Sequence, residues 1–406
     1  MKKIILIGAG ILAGLTASAQ MSVVKEAEKA MKSSDDSYKP VVEIITPALT
    51  NPETSGLAQT WYIPGKAAFK CYDHLLGLKA FNKLPENGEL KMAEALLDGY
   101  NYFVKALPLD SVPNEKGKVK PKYSKEIVST LAGHFGDFSG AGATFYNSQR
   151  YNDAYDIWQV MVDLYANPLY RKDIANVDST LMGDITFNQG IAAWQGENLP
   201  KALKAFKTSI ALGHNDKDTY NYAIGVASQI PDSVAALELA KEALPLYGKE
   251  EPSYIGIIIN DYLQKKDYQK AFDAINEAIA ANPDNAQYYV VLGVIYDNDG
   301  KRAEAKKAYA KAIELDPYSK DALFNYGKAL CEDAYEISDK APSDPSQIEA
   351  YFNENIRPLF NEAADYLERA YNVDENYTIA LKYLENVYYN LKDEEKLKYT
   401  TDRLNK

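Results

Sequence analysis

The feature that most constrains the fold is a sequence period of 34 residues. Pro283 and Pro317 are 34 residues apart, and so are Gly293 and Gly327. The same interval separates three further pairs of small or aromatic residues: Ala271 and Ala305, Ala278 and Ala312, and Tyr262 and Tyr296. A fixed period in this range is typical of stacked supersecondary units, each of which buries its apolar face against the next.

Each period is predicted to contain two helices. The first, such as Tyr288–Asn298, is rich in large apolar residues, and a short turn ending at Gly300 follows it. The second, Lys301–Leu315, has alanines at the positions where a large side chain would hold a neighbouring helix away. Pro317 ends the second helix, because proline cannot donate to the helix ladder and restricts the residue before it. The prolines therefore mark the boundaries between units.

This pattern resembles the tetratricopeptide repeat family, whose units are 34 residues long. The copy Ala286–Ser319 has an expected or similar residue at eight signature positions: Tyr289, Leu292, Gly293, Tyr296, Ala305, Tyr309, Ala312 and Pro317. The copy Pro252–Asn285 also matches well, apart from Ile259 where the pattern expects Gly, and weaker copies span Phe135–Pro168, Gly183–Asp216 and Lys217–Glu251. The resemblance implies an all-α fold, a right-handed superhelical solenoid of antiparallel helix pairs.

The repeat register predicts a division of the chain into segments. Leu330 and Ala363 are 33 residues apart where the pattern has nine, which leaves an insert, 331–362, with 24 surplus residues. We expect a loop at Ala341–Gln347 and an added helix after it. The predicted segments are a signal peptide (1–19), a degenerate N-terminal helical pair (20–57), a degenerate repeat with an insertion and a Lys-rich loop (58–134), an array of about five repeats (135–319), a repeat with an inserted loop and helix (320–376) and C-terminal capping helices (377–406).

The first nineteen residues are predicted to be a signal peptide. Lys2 and Lys3 precede an apolar run from Ile4 to Leu15, and small residues before Gln20 suit a signal peptidase. The run is shorter than the roughly 20 apolar residues of a membrane span. We therefore expect an exported, soluble protein, in the periplasm or at the cell surface of a Gram-negative bacterium, with no membrane insertion after cleavage. The first cysteine is Cys71, so no lipid-bearing cysteine stands at the cleavage point and we do not expect a lipoprotein.

Charge and cysteine content narrow the class of partner. The formal net charge is −12, which disfavours nucleic acid as a partner because such proteins present a basic face. The chain has two cysteines, Cys71 and Cys331, which lie about six repeats apart. Stacked helices at that separation exceed the roughly 7 Å Cα distance that a disulfide permits. Both are predicted to be free thiols packed inside the array.

The sequence offers no catalytic set and no cofactor site. The three histidines are scattered over different units, and neither paired Cys/His spacing nor a phosphate-binding glycine motif occurs. The segment Gly133–Gly142 is glycine-rich, but it opens a repeat in which small residues let helices approach closely. The Lys-rich loop, Asn114–Lys125, is either a solvated connector or a grip for an anionic partner. We therefore expect a protein that is not an enzyme.

The resemblance also implies a binding face, because members of the family hold peptides on the first helices of their repeats. The residues that this mapping selects are Tyr146, Asn147, Phe187, Trp194, Asn221, Gln229, Asn260, Gln264, Gln287 and Asn298, and Asp218 falls on the same face. Lys328 alone is basic among the mapped positions, so the clamp of Lys and Arg that holds a terminal carboxylate in some members is not expected. Amides can bond both edges of an extended peptide backbone. The aromatic residues either contact a ligand or pack between helices.

The expected function is that of an exported scaffold that binds a protein or peptide partner on its concave face. The alternative is a glycan-binding protein of the cell envelope, because aromatic rings can also stack on sugars.

Overall fold

The computed structural model describes residues 21–113, 117–174, 176–231 and 234–405. The predicted signal peptide lies outside the described residues, and so do Asn114, Glu115 and Lys116 of the Lys-rich loop. All regular secondary structure in the described ranges is helical, which confirms the all-α prediction. The chain divides into two compact units, Met1–Ser233 and Val234–Lys406.

The first unit is built from helices that pack in sequence order, each mainly against its neighbours in the chain. The segment 39–50, which contains a strand-like run of Val and Ile, is helical because Val41, Ile45 and Ala48 lie on one buried face at helical spacing. The helices are α1 (21–30), α2 (Lys39–Thr50), α3 (Ala58–Ala80), α4 (Gly88–Asp110), α5 (Ser124–Gly133), α6 (Asp137–Asn147), α7 (Tyr151–Ala166), α8 (Ser179–Gln195), α9 (Leu199–Ala211) and α10 (Lys217–Gln229).

The second unit continues the helical pattern with pairs such as α14 and α15. Its elements are α11 (Val234–Tyr247), α12 (Ser253–Gln264), α13 (Tyr268–Ala281), α14 (Ala286–Asn298), α15 (Arg302–Leu315), α16 (Lys320–Ser338), α17 (Pro345–Tyr351), a π-helical turn (Phe352–Ile356), α18 (Arg357–Val373), α19 (Thr378–Leu391) and α20 (Glu394–Leu404). The predicted helix pair at 288–315 lies within two residues of the observed bounds. The break at Asp316-Pro317 separates α15 from α16.

The two helices of a pair pack closely because a glycine of the first helix faces a large ring of the second, sixteen residues later. A Cβ atom added at the glycine would lie 2.2 to 2.6 Å from the ring, closer than any side chain tolerates. The pairs are Gly142 with Trp158, Gly190 with Phe206 and Gly293 with Tyr309. Glycine is required at these positions by space and not by backbone conformation, and each ring fills the volume that the missing side chain leaves.

The insert 331–362 extends a helix pair and does not hang from it as a loop. Helix α16 runs on to Ser338, so that Cys331 and Ala334 are buried, and Ile356 and Phe360 are buried on the returning arm. The predicted loop at Ala341–Gln347 is shorter than expected, because α17 begins within it at Pro345. Asp344 caps this helix by accepting a hydrogen bond from the Ser346 backbone N–H at 3.0 Å. After the insert the pair closes in the usual way, with Leu367 against Gly327.

The two cysteines are free and buried, as predicted. Burial raises the pKa of the Cys331 thiol to about 12, and it raises the pKa of Cys71 as well. Both thiols are therefore protonated at neutral pH and are poor nucleophiles.

Candidate functional site

The candidate site lies on two first helices of the first unit, α8 and α10. Capping fixes where each helix begins. Asp178 accepts a hydrogen bond from the Leu181 backbone N–H at 2.9 Å, and Asp216 accepts one from the Thr219 backbone N–H at 2.8 Å. Each start sets the rotation of the helix and therefore the side chains that it presents.

A groove of about 430 Å³ opens between these helices. We call it the Trp194 groove. Its lining residues are Trp194, Asp218, Asn221, Tyr222, Gly225, Val226 and Gln229. Gly225 has no heavy atom within 4 Å of an added Cβ, which agrees with an open floor at this point. The lining combines two aromatic rings, two amides and one carboxylate, a set suited to a ligand with both apolar and polar parts.

Two exposed rings form the aromatic wall of the Trp194 groove. Trp194 is 36% exposed and Tyr222 is 38% exposed, and their ring centroids lie 5.8 Å apart at an interplanar angle of 63°. Behind them, Tyr222 stacks on the fully buried ring of Phe206 at 5.8 Å and 13°. Phe187 contacts both Phe206 and Tyr222 at 5.8 Å. Tyr222 is therefore packed against the core, and Trp194 packs against Tyr222.

One side of this aromatic cluster ends at His214. Its ring centroid lies 5.0 Å from that of Phe187, and its Nδ1 lies 2.6 Å from Oδ1 of Asp184 on α8. The second ring nitrogen, Nε2, lies 3.6 Å from Oδ2 of Asp216, the residue that caps α10. His214 thus ties the start of α10 to α8 and keeps the two walls of the groove in register.

Three of the residues selected from the sequence lie together in the Trp194 groove: Trp194, Asn221 and Gln229. Phe187 lies behind the wall and is partly buried, so it packs between helices. Tyr146 is partly buried against Tyr151, with ring centroids 5.3 Å apart, while Asn147 is exposed at the end of α6. The residues on α6 do not line this groove.

The remaining selected residues lie in the second unit and are exposed. Asn260 and Gln264 are one turn apart on α12. Gln287 and Asn298 lie at opposite ends of α14, about 16 Å apart along the helix axis at 1.5 Å per residue. The Nδ2 of Asn298 donates to the backbone carbonyl of Val294 at 2.8 Å. The two residues on α14 therefore cannot act as one compact site.

Sequence mapping missed Tyr222, which joins the exposed and buried parts of the cluster. Its position in the repeat is not one that usually faces inward, so the mapping gave no reason to select it. One signal was present in the sequence: Asp218, Tyr222 and Gln229 are spaced four and seven residues apart, which is helical spacing. A helical plot of this one segment places them on a single face.

A second histidine, His134, has the same kind of surroundings as His214. His134 has Asp137 at 2.8 Å from Nδ1 and Asp73 at 3.5 Å from Nε2, the same double pairing that His214 shows. A ring with carboxylates at both nitrogens has no nitrogen directed at a nucleophile. Within the described ranges, no group of three or more His, Cys, Asp or Glu residues is arranged to hold a metal ion, and no helix is both long and apolar enough to cross a membrane.

Comparisons with known proteins find similarity over parts of the chain. Residues 286–319 match the family model of the tetratricopeptide repeat. Over 218 residues the chain is 26% identical to human (Homo sapiens) protein O-mannosyl-transferase TMTC1, covering 52% of this chain and 22% of that protein. Over 148 residues it is 33% identical to the probable UDP-N-acetylglucosamine–peptide N-acetylglucosaminyltransferase SPINDLY of Solanum lycopersicum, covering 36% of this chain and 15% of that protein. The chain thus spans less than a quarter of the length of these relatives.

Similarity to solved structures was also found. The crystal structure of MamA is 22% identical, with a TM-score of 0.32, and the match covers 46% of this chain and 95% of that one.

Within each unit the described helices pack in sequence order as antiparallel pairs, which is the arrangement of a helical-repeat protein. The matched repeat at 286–319 has the glycine, ring and proline positions described above. Residues 286–319 therefore form one unit of the tetratricopeptide-repeat type within an all-α array of helix pairs.

Proposed function

We propose that this protein is a non-enzymatic exported scaffold that binds a protein or peptide partner on the inner face formed by the first helices of its repeats. The observation that carries the proposal is the Trp194 groove, where an exposed, pre-packed aromatic wall stands beside amide side chains. Rigid aromatic residues bordered by polar groups are the usual centres of protein-binding surfaces.

The groove offers what an extended peptide requires. Trp194 and Tyr222 supply apolar area for a side chain at little entropic cost, because the buried cluster behind them already fixes Tyr222. The Nε2 of Gln229 donates to the backbone carbonyl of Gly225 at 3.0 Å, which leaves its Oε1 to accept from a peptide N–H. On the second unit, Asn260, Gln264, Gln287 and Asn298 are proposed to make separate amide contacts.

The non-enzymatic part of the proposal rests on the paired histidines and the two buried thiols. The raised pKa values of the two thiols disfavour them as nucleophiles, and both ring nitrogens of His134 and of His214 lie close to carboxylates. The transferase names of the two relatives belong to proteins of which this chain covers a small share. Export rests on residues 1–19, and N-terminal sequencing of the protein from its native cells is expected to begin at Gln20.

Site-specific crosslinking tests the proposed face. The photoreactive residue p-benzoylphenylalanine replaces Tyr222 in one variant and Tyr399, an exposed residue of α20, in a control variant. Ultraviolet irradiation of intact cells is expected to give a crosslinked protein product at position 222 and none of that mass at position 399. No product at 222, or the same products at both positions, would contradict binding at the groove.

A glycan is the competing ligand. The exposed ring of Trp194 beside the Asp218 carboxylate and the Gln229 amide is also an arrangement that can stack on a sugar and bond its hydroxyls. Calorimetric titration with a panel of oligosaccharides distinguishes a glycan ligand from a peptide ligand. Heat of binding that Trp194→Ala abolishes would favour a glycan, and no heat of binding for any oligosaccharide would exclude the glycan alternative.

A further inference from the structure

The helices that line the Trp194 groove are almost free of basic residues. Helix α8 contains Asp184 and no Lys or Arg, and α10 contains Asp218 and one basic residue, Lys217, at its first position. Because Asp218 precedes Tyr222 by one helical turn, both lie on the same face of α10 and both line the groove. The charge that a ligand meets at this point is therefore negative.

The lysines of the intervening helix α9 do not neutralise this face. The Nζ of Lys201 lies 3.2 Å from Oδ1 of Asp156 and 4.4 Å from the centroid of the Tyr155 ring. Lys204 and Lys207 line a different groove, which runs along α9. These three lysines of α9 are thus placed away from the lining of the Trp194 groove.

Cation–π contacts are frequent in this protein, but the groove rings take no part in those formed among the described residues. Lys105 lies over Trp61 at 4.5 Å and Arg150 lies over Phe145 at 4.7 Å, for example. Neither Trp194 nor Tyr222 has a Lys or Arg over its ring within the ranges described. No described side chain donates a hydrogen bond to the Asp218 carboxylate either. Among the described residues, the lining of the groove therefore presents two aromatic rings and a carboxylate and includes no Lys or Arg.

We propose that the Trp194 groove selects a Lys or Arg side chain of a peptide partner, with the cation against the rings of Trp194 and Tyr222 and paired with Asp218. This inference rests on the proposed function and names the chemistry of its partner. A cation gains from the ring faces and from the carboxylate at once. A neutral sugar or an acidic peptide leaves the Asp218 charge without a counter-ion.

The first experiment screens the full mature protein against an array of synthetic decapeptides. The array contains sets of otherwise identical sequences in which the two central residues are Lys, Arg, Gln or Glu. We expect the Lys and Arg members to bind and the Glu members not to bind, and raising the salt from about 0.1 M to about 1 M should weaken the bound members, since screening shortens the reach of an exposed charge.

The second experiment measures fluorescence anisotropy of the best Lys peptide and its Gln partner with groove variants. Asp218→Asn is expected to weaken the Lys peptide about tenfold and the Gln peptide less than twofold, and Trp194→Ala should weaken the Lys peptide about tenfold or more. Asp218→Glu, which keeps the charge, should retain most of the affinity. Asp402→Asn, which removes an equal charge from exposed α20, is the matched control and should bind as the unchanged protein does.

The outcomes distinguish the selection of a cationic side chain from the more general proposal that the groove binds a peptide. Peptides that bind at the groove with equal affinity for Lys and Gln members, or with no loss on Asp218→Asn, overturn the cation inference and leave peptide binding standing. If no peptide of any charge binds, both fall. Oligosaccharide binding that Trp194→Ala removes, without peptide binding, overturns both in favour of a glycan.

Discussion

Replacing Gly293 by Ala is the sharpest test of how the helix pairs are held together. Gly293 lies in the middle of α14, and an added Cβ would lie 2.3 Å from Cε1 and 2.5 Å from Cδ1 of Tyr309. Tyr309 is fully buried on α15, and its hydroxyl donates to Oδ2 of Asp297 at 2.9 Å. The ring cannot move aside without losing this bond, so the added methyl group must force the two helices apart.

The magnitude follows from three contributions to the free energy of unfolding. Ala in a helix interior gains about 1 kcal/mol over Gly. Overpacking a core typically costs about 1–3 kcal/mol, and a buried hydroxyl and carboxylate that lose each other cost about 1–3 kcal/mol more. We expect Gly293→Ala to lower the free energy of unfolding by roughly 3 kcal/mol, a net loss despite the better helix propensity.

Equilibrium urea unfolding followed by circular dichroism measures the change, and hydrogen exchange of peptides from α14 and α15 locates it. The matched control is Gly256→Ala on α12, where nothing lies within 4 Å of an added Cβ. That substitution should raise stability by up to about 1 kcal/mol. If Gly293→Ala and Gly256→Ala unfolded at the same urea concentration, the close-packing argument would be refuted. Adding Tyr309→Leu to Gly293→Ala should recover part of the loss.

Three further predictions concern the Asp110 carboxylate, the two buried thiols and the ion pairs of Arg302. Burial of Asp110 raises its pKa, but hydrogen bonds from the Lys122 backbone, the Ser124 hydroxyl and neighbouring backbone N–H groups outweigh this effect and lower the pKa. Asp110→Ala should therefore lower the free energy of unfolding by about 1–3 kcal/mol at pH 7. This contribution is present above the ordinary Asp pKa and lost as pH falls through the depressed folded value, and urea melts of both proteins should therefore converge in acid. Iodoacetamide at pH 8 should leave Cys71 and Cys331 unmodified in the folded protein and label both in urea, as mass spectrometry would show; rapid labelling without denaturant would contradict their burial. Arg302 bonds Glu332, Asp333 and Glu336 of α16 at 3.0 to 3.3 Å, so Arg302→Ala should cost about 1 kcal/mol in low salt and less in about 1 M salt, and an equal loss at both would exclude an ionic origin.

The repeat spacing was readable from the sequence because it depends on local chemistry. Pro317 must end a helix. Gly293 stands sixteen residues before Tyr309, because the ring of Tyr309 needs the space that a side chain at position 293 would occupy. These constraints act within one helix pair, so the sequence order alone exposes them. The bounds of α14 and α15 followed within two residues for the same reason.

The groove was only partly readable because it depends on contacts between pairs. Trp194 and Asn221 were selected by their position within a repeat, but Tyr222 matters through the ring of Phe206, which lies in another helix. Phe187 occupies an inner position in sequence, yet its ring packs against His214 and faces the core. A position-based mapping treats every repeat alike and cannot show which rings a particular neighbour will cover.

The insert after α16 has a practical consequence for anyone who wishes to modify this protein. Helix α16 has 19 residues where α14 has 13, an extension of six residues or about 9 Å at 1.5 Å per residue, and the two arms of the insert are tied by a hydrogen bond of 3.3 Å from the Tyr351 hydroxyl to the Ile337 carbonyl. Gly327 still meets Leu367 as if nothing had been added. The turn at 341–344 is therefore a suitable insertion site. A fluorescent protein or an affinity tag inserted there would extend the two arms without disturbing the packing of the helix pair below them.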